Sequence, residues 1–186
     1  MQFDSSRYGP EVARLLALAG DGLRPMPLAE PLCISEAARD ALKNTSARTL
    51  FPRARAPEAA LAGLYLYFGC WDEAHQIAQD VPTAEGSYWH AIVHRQEPDA
   101  GNSGYWFRRV GQHPIFPRLW EEARRLEQEL RPDRTLTAPG RWDPFRFIDY
   151  CEEARHRPGS SQEEFARQLQ LLEWQLLFDF CAGENK

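Results

Sequence analysis

Lysine is nearly missing from this chain of 186 residues: Lys43 and Lys186 are the only two, so its positive charge is almost all arginine. The net charge is −5, and an acidic balance without a cationic stripe argues against generic nucleic-acid binding. Arginine suits planar, bidentate contacts to carboxylate or phosphate better than lysine does. Cysteine is also sparse. Cys33, Cys70, Cys151 and Cys181 are widely and irregularly spaced, with no C-x-x-C pair. That spacing predicts buried free thiols in a reducing cytosol, not a disulfide framework or a structural zinc site. No apolar run approaches the ~18 residues of a membrane span. The opening MQFDSSRYGPE has neither the basic nor the apolar part of a signal peptide. The expectation is a cytoplasmic protein with no membrane and no nucleic-acid partner. Familiar catalytic signatures are missing too: no G-x-S-x-G elbow, no phosphate-binding Walker loop, no dinucleotide glycine fingerprint.

What is present is core-filling material. Hydrophobic residues make up 43% of the chain, with six Trp and ten Phe, enough for one sizeable core. No run of β-branched residues alternates with polar ones, so little or no strand is expected. The fold class expected is all-α: antiparallel helical hairpins packed with a long C-terminal helix. It forms one domain over 1–186, with a partly irregular segment 1–56, a hairpin core 57–114 and C-terminal helices 117–186.

Punctuation places the helices. Pro10 opens the first and Gly20-Asp21-Gly22 ends it. Pro25, Pro27 and Pro31 make 23–34 a surface wrap. Ser35 caps a short helix through Leu42, and 44–57 reads as irregular and basic. Helices then follow over 57–68, 72–81 and 84–97, and from Asp99 or Asn102 to Val110. Pro117–Arg131 is amphipathic, with Glu121–Arg125 and Glu127–Arg131 as i,i+4 pairs. A loop over 132–141 leads to Asp143-Pro144, a cap followed by a first-position proline. Ser161 with Glu164 forms a capping box for the last helix. Its residues 165–180 are apolar nearly all round, which places it at the centre of the core or against a partner.

The stretch ALAGLYLYFGCWDEAHQIAQDV, 60–81, resembles a tetratricopeptide hairpin: Leu61, Ala62, Tyr65, Gly69, Trp71, Glu73 and Ala74 fall on that pattern. NSGYWFRRVGQHP, 102–114, resembles the second helix of a Sel1-like repeat, with Gly104 where alanine is usual. The longer segment SYWHAIVHRQEPDAGNSGYWFRRVGQHPIF is similar to a family of uncharacterised bacterial and fungal proteins. The resemblance implies stacked hairpins with a concave groove, and no activity.

The chemistry concentrates in 88–113. His90, His94 and Glu97 sit at i, i+4 and i+7, an arc of roughly 60° on one helix face at ~100° per residue. Tyr88 and Ile92 point the other way. Asn102, Trp106, Arg109 and His113 follow closely. Three chemistries fit. Two histidines at i,i+4 can share a divalent metal, with Glu97 or His113 completing it. Ala91 stands where a zincin has its glutamate, so metalloprotease chemistry is unsupported. Arg108 and Arg109 with His90 could hold a small anionic ligand against the aromatics. Or the polar groups simply pair, His94 with Glu97 and Arg109 with Asp99, because buried polar side chains need partners.

The leading expectation is a protein- or ligand-binding module whose groove lies where the 84–97 and 102–110 helices face the C-terminal helix. His90, His94, Glu97, Asn102, Trp106, Arg109 and His113 are its site residues. The rivals are a metal-dependent enzyme on the same residues, with His90, His94 and Glu97 as ligands, and a structural protein that self-associates through its C-terminal helix.

Overall fold

The structure, a computed structural model, describes residues 3–137 and 140–184. Among them every regular element is helical, apart from one isolated bridge between Ala54 and Glu184. A short 3-10 turn, Ser5–Tyr8, precedes ten α-helices: α1 Pro10–Ala17, α2 Glu36–Lys43, α3 Ala47–Leu50, α4 Pro57–Tyr67, α5 Trp71–Asp80, α6 Ala84–Gln96, α7 Ala100–Val110, α8 Phe116–Leu130, α9 Pro144–Arg155 and α10 Ser161–Ala182. Residues 138 and 139 of the expected 132–141 loop lie outside the described residues.

The helix ends follow from side-chain chemistry. Pro10, Pro57 and Pro144 stand at first positions, where a missing N–H costs nothing. Ser35, Thr83, Asp99 and Asp143 accept hydrogen bonds from the first free amides of their helices. Three details differ from expectation. Ser46 caps the one-turn α3 inside the supposedly irregular segment. The α10 box sits one residue early: Ser160 Oγ accepts from Glu163 N at 3.1 Å, and Glu163 Oε2 accepts from Gly159 N at 2.6 Å. Glu127 turns from Arg131 to accept from Thr137 N at 3.3 Å, while Arg131 leaves the helix with φ +47°.

Helices α4 to α7 form two successive hairpins, with short turns at 68–70, 81–83 and 97–99 that hold neighbours antiparallel. Gly69 adopts φ +71° to turn the first corner. A β-carbon on Gly63 would come within 2.7 Å of the Trp89 ring, so glycine is what lets α4 and α6 approach there.

Helix α10 runs through the middle, with Phe165, Leu169, Trp174, Leu177 and Phe178 fully buried. Trp174 Nε1 donates to Gly63 O at 2.7 Å, and Tyr88 OH on α6 donates to Glu173 Oε1 at 2.9 Å. Its apolar surface is therefore consumed within the chain. The self-association expected through 165–180 loses the face it needed.

The proline-rich strap, 18–35, has no hydrogen-bond ladder of its own. Long side chains of the helices supply donors to its carbonyls instead. Gln175 reaches Gly22 O at 2.8 Å, Gln96 reaches Pro27 O at 2.9 Å and Arg155 reaches Leu28 O at 2.9 Å. Ile34 N donates to Phe68 O at 2.8 Å, which lays the strap beside the α4–α5 turn. There Cys33 and Cys70 form a disulfide, while Cys151 and Cys181 remain free and buried. The expectation of four free thiols is corrected for this pair, because tertiary packing brings together cysteines 37 residues apart.

Candidate metal centre

Helix α6 is buried on nearly every side, so its two faces meet different neighbours. One face carries Tyr88 and Arg95 toward α10. Arg95 makes a fully buried ion pair with Glu173, and its Nε donates to Gln170 Oε1 at 3.1 Å. The side chains where the binding cleft was expected, Tyr88, Arg95, Glu173 and Trp174, are fully buried, so among the described residues that space is packed core. The imidazoles lie on the face toward α5 and α7.

On that face His90 and His94 stack, with ring centres 4.7 Å apart and planes 16° from parallel. A third imidazole, His75 of α5, stands edge-on to both at 4.5 and 5.3 Å. Nε2 of His75 lies 2.9 Å from Nε2 of His90. One ring nitrogen from each of the three comes within 4.8 Å of the others. Two indoles flank the group. Trp106 of α7 stacks on His90 at 4.0 Å, and Trp71 of α5 stacks on His75 at 5.1 Å. Trp71 is itself fixed by its Nε1–H, which donates to Val93 O at 3.3 Å.

Burial favours the neutral form of two of the rings, His90 and His75. Two facing nitrogens at hydrogen-bond distance cannot both carry protons. Burial, helped by the charges His75 and His94 would carry, holds His90 down to about 3. Burial and His94 lower His75 as well, against weaker opposing pulls from Glu97 and Asp72. Nδ1 of His90 is buried with no hydrogen-bond partner.

Glu97 sits just past the end of α6, exposed, with Oε2 2.7 Å from Nδ1 of His94. It is thus not the third member of the imidazole group but the carboxylate that orients one of its rings. A second set, His94, Glu97 and Asp99, also falls within 4.8 Å. There Asp99 is engaged as the α7 cap, accepting from Asn102 N at 2.9 Å and Asn102 Nδ2 at 2.7 Å. Asn102 therefore serves the helix end.

The other expected site residues separate. Arg109 lies over Trp106 at 5.2 Å and Tyr105 at 6.0 Å, while Arg108 lies over Phe145 at 5.7 Å. The two guanidinium groups thus address different aromatics and form no clamp with His90. His113 is remote from the cluster, on the Tyr88 side of α6. Its ring meets Tyr88 at 5.2 Å, Phe116 at 6.0 Å and Phe180 at 4.9 Å. Burial there lowers its pKa to about 4.

Comparison of the chain with protein-family profiles, with curated proteins and with solved structures finds no match to any of them.

Proposed function

We propose that this chain is a metal-binding helical protein that holds a zinc-like divalent ion through His75, His90 and His94. Glu97 is the outer carboxylate that fixes His94. The observation that carries the reading is the convergence of three ring nitrogens within 4.8 Å from two adjoining helices. Imidazole nitrogens at about 2.0–2.1 Å are ordinary zinc ligands. A tetrahedral ion would want them roughly 3.3–3.4 Å apart, close to the 2.9 Å between Nε2 of His75 and Nε2 of His90. Two further features support it. A ligand histidine must be neutral to bind, and burial has already made His90 so. A metal-bound histidine normally donates its other N–H to a carboxylate, and the His94–Glu97 contact has that form, leaving Nε2 for the ion.

Titration of the EDTA-stripped full-length protein with zinc, followed by calorimetry, should give one ion per chain and a raised melting temperature. His75→Ala should abolish stoichiometric binding. His75 is only half-buried, so this variant keeps its fold, and circular dichroism verifies that.

A second reading has its own support: the His75–His90 and His94–Glu97 contacts pair these rings without any ion. Under it the cluster is a structural polar junction between hairpins, and the titration shows no saturable binding. The tetratricopeptide likeness belongs to the proposal as well, supported by the succession of hairpins α4–α7 and the left-handed Gly69 at the first turn.

A further inference from the structure

The reading above leaves the ion's fourth coordination position to be filled, and the residues around the cluster say by what. The geometry points to a solvent-held position: we propose that the ion keeps a water ligand which small anions displace. This rests on the three-histidine site. The other donors beside it have different tasks, save Asp72, which is exposed near His75. Glu97 is bound to Nδ1 of His94. Both oxygens of Asp99 accept from Asn102. The indole N–H of Trp71 is spent on Val93 O, and an indole offers no lone pair to a metal. Cys70, at the start of α5, is tied to Cys33. The histidine set itself leads outward: His90 is buried, His75 is half-buried and Glu97 is exposed. The water-facing end of the cluster thus lies at the His75–Glu97 edge.

Three protein ligands plus exchangeable solvent is the arrangement of a reactive zinc site, whereas structural sites close all four positions with side chains. Ligand exchange here is a simple replacement: the water leaves as an anion such as azide or a small carboxylate enters. The indoles of Trp71 and Trp106, stacked on His75 and His90, favour small or planar anions beside them.

Cobalt(II) in place of zinc makes the position visible. The EDTA-stripped full-length protein should bind one cobalt and show visible bands of a low-coordinate ion. Azide should shift those bands saturably, and acetate should compete. Glu97→Gln should weaken cobalt binding by about 10–100-fold, as loss of an outer carboxylate does, and leave the azide shift in place. Absence of stoichiometric cobalt would remove the metal-site reading itself. A bound cobalt whose bands ignore azide would overturn only the open position, and would mean that a side chain such as Asp72 or Glu97 closes the site. Loss of the azide response in Glu97→Gln alone, with cobalt still bound, would also overturn it, because the anion would then depend on Glu97 and not on an open metal position.

Discussion

His90 and Arg95 lie five positions apart on α6 and answer burial in opposite ways. The imidazole gives up its proton, held down to about 3 by desolvation. The guanidinium keeps its charge because Glu173 faces it at full burial, while its Nε donates to Gln170 and Tyr88 OH donates to the other oxygen of Glu173. A buried charge without its partner is costly, so Glu173→Gln should destabilise the protein by about 3–5 kcal/mol in urea unfolding. Replacing both partners at once, Arg95→Met with Glu173→Leu, should recover most of that loss. A single-site loss below 1 kcal/mol would mean that water reaches the pair.

At the scale of elements, the candidate centre is a matter of hairpin register. In two antiparallel helices, residues equally far from the turn face each other. His75 and His90 are equidistant from a point between Pro82 and Thr83, and His90 and Trp106 are equidistant from Pro98. That arithmetic is available in the sequence once the turns are known, and it finds His75, which spacing along α6 alone does not. The same register sets Trp71 opposite His94, one residue from the Val93 carbonyl that its indole N–H reaches at 3.3 Å. His113 could not be placed this way. It follows α7 in a turn, and its aromatic surroundings come from three other elements. The α10 cap offers a sharp check on element boundaries. Ser160→Ala should cost about 1 kcal/mol in thermal melts. Ser161→Ala should fall within about 0.5 kcal/mol of the parent. The reverse ranking would move the helix start by one residue.

Over the whole molecule, the long helices act as donors to a strap that cannot satisfy itself, and the buried imidazoles tie stability to pH. His90 is lowered to about 3 and His113 to about 4, against an ordinary value of 6.5. The unfolded chain takes up protons at both positions below about 6.5, whereas the native chain does not. Stability of the metal-free protein should therefore be fullest above pH 6.5 and fall as the pH drops toward 4. Urea midpoints measured from pH 7.5 to 4.5 would show the decline, and His113→Asn should flatten part of it. A midpoint independent of pH over that range would contradict the burial of both rings. Among the described residues no helix is long and apolar enough to cross a membrane; even α10, the longest, carries glutamates and glutamines that the core uses as partners.

Proline, glycine and the capping side chains determine locally where each helix begins and ends, since they act on backbone groups within a turn of themselves. Apolar periodicity likewise determines which faces turn inward. What lies across from a face is a non-local matter that no window of sequence contains. Packing therefore decided that α10 buries its own apolar surface, that Cys33 meets Cys70, and that α6 presents its histidines to α5 and not to α10. The third imidazole is the sharpest case: His75 reads as an ordinary polar residue of an amphipathic helix until the neighbouring helix is set against it.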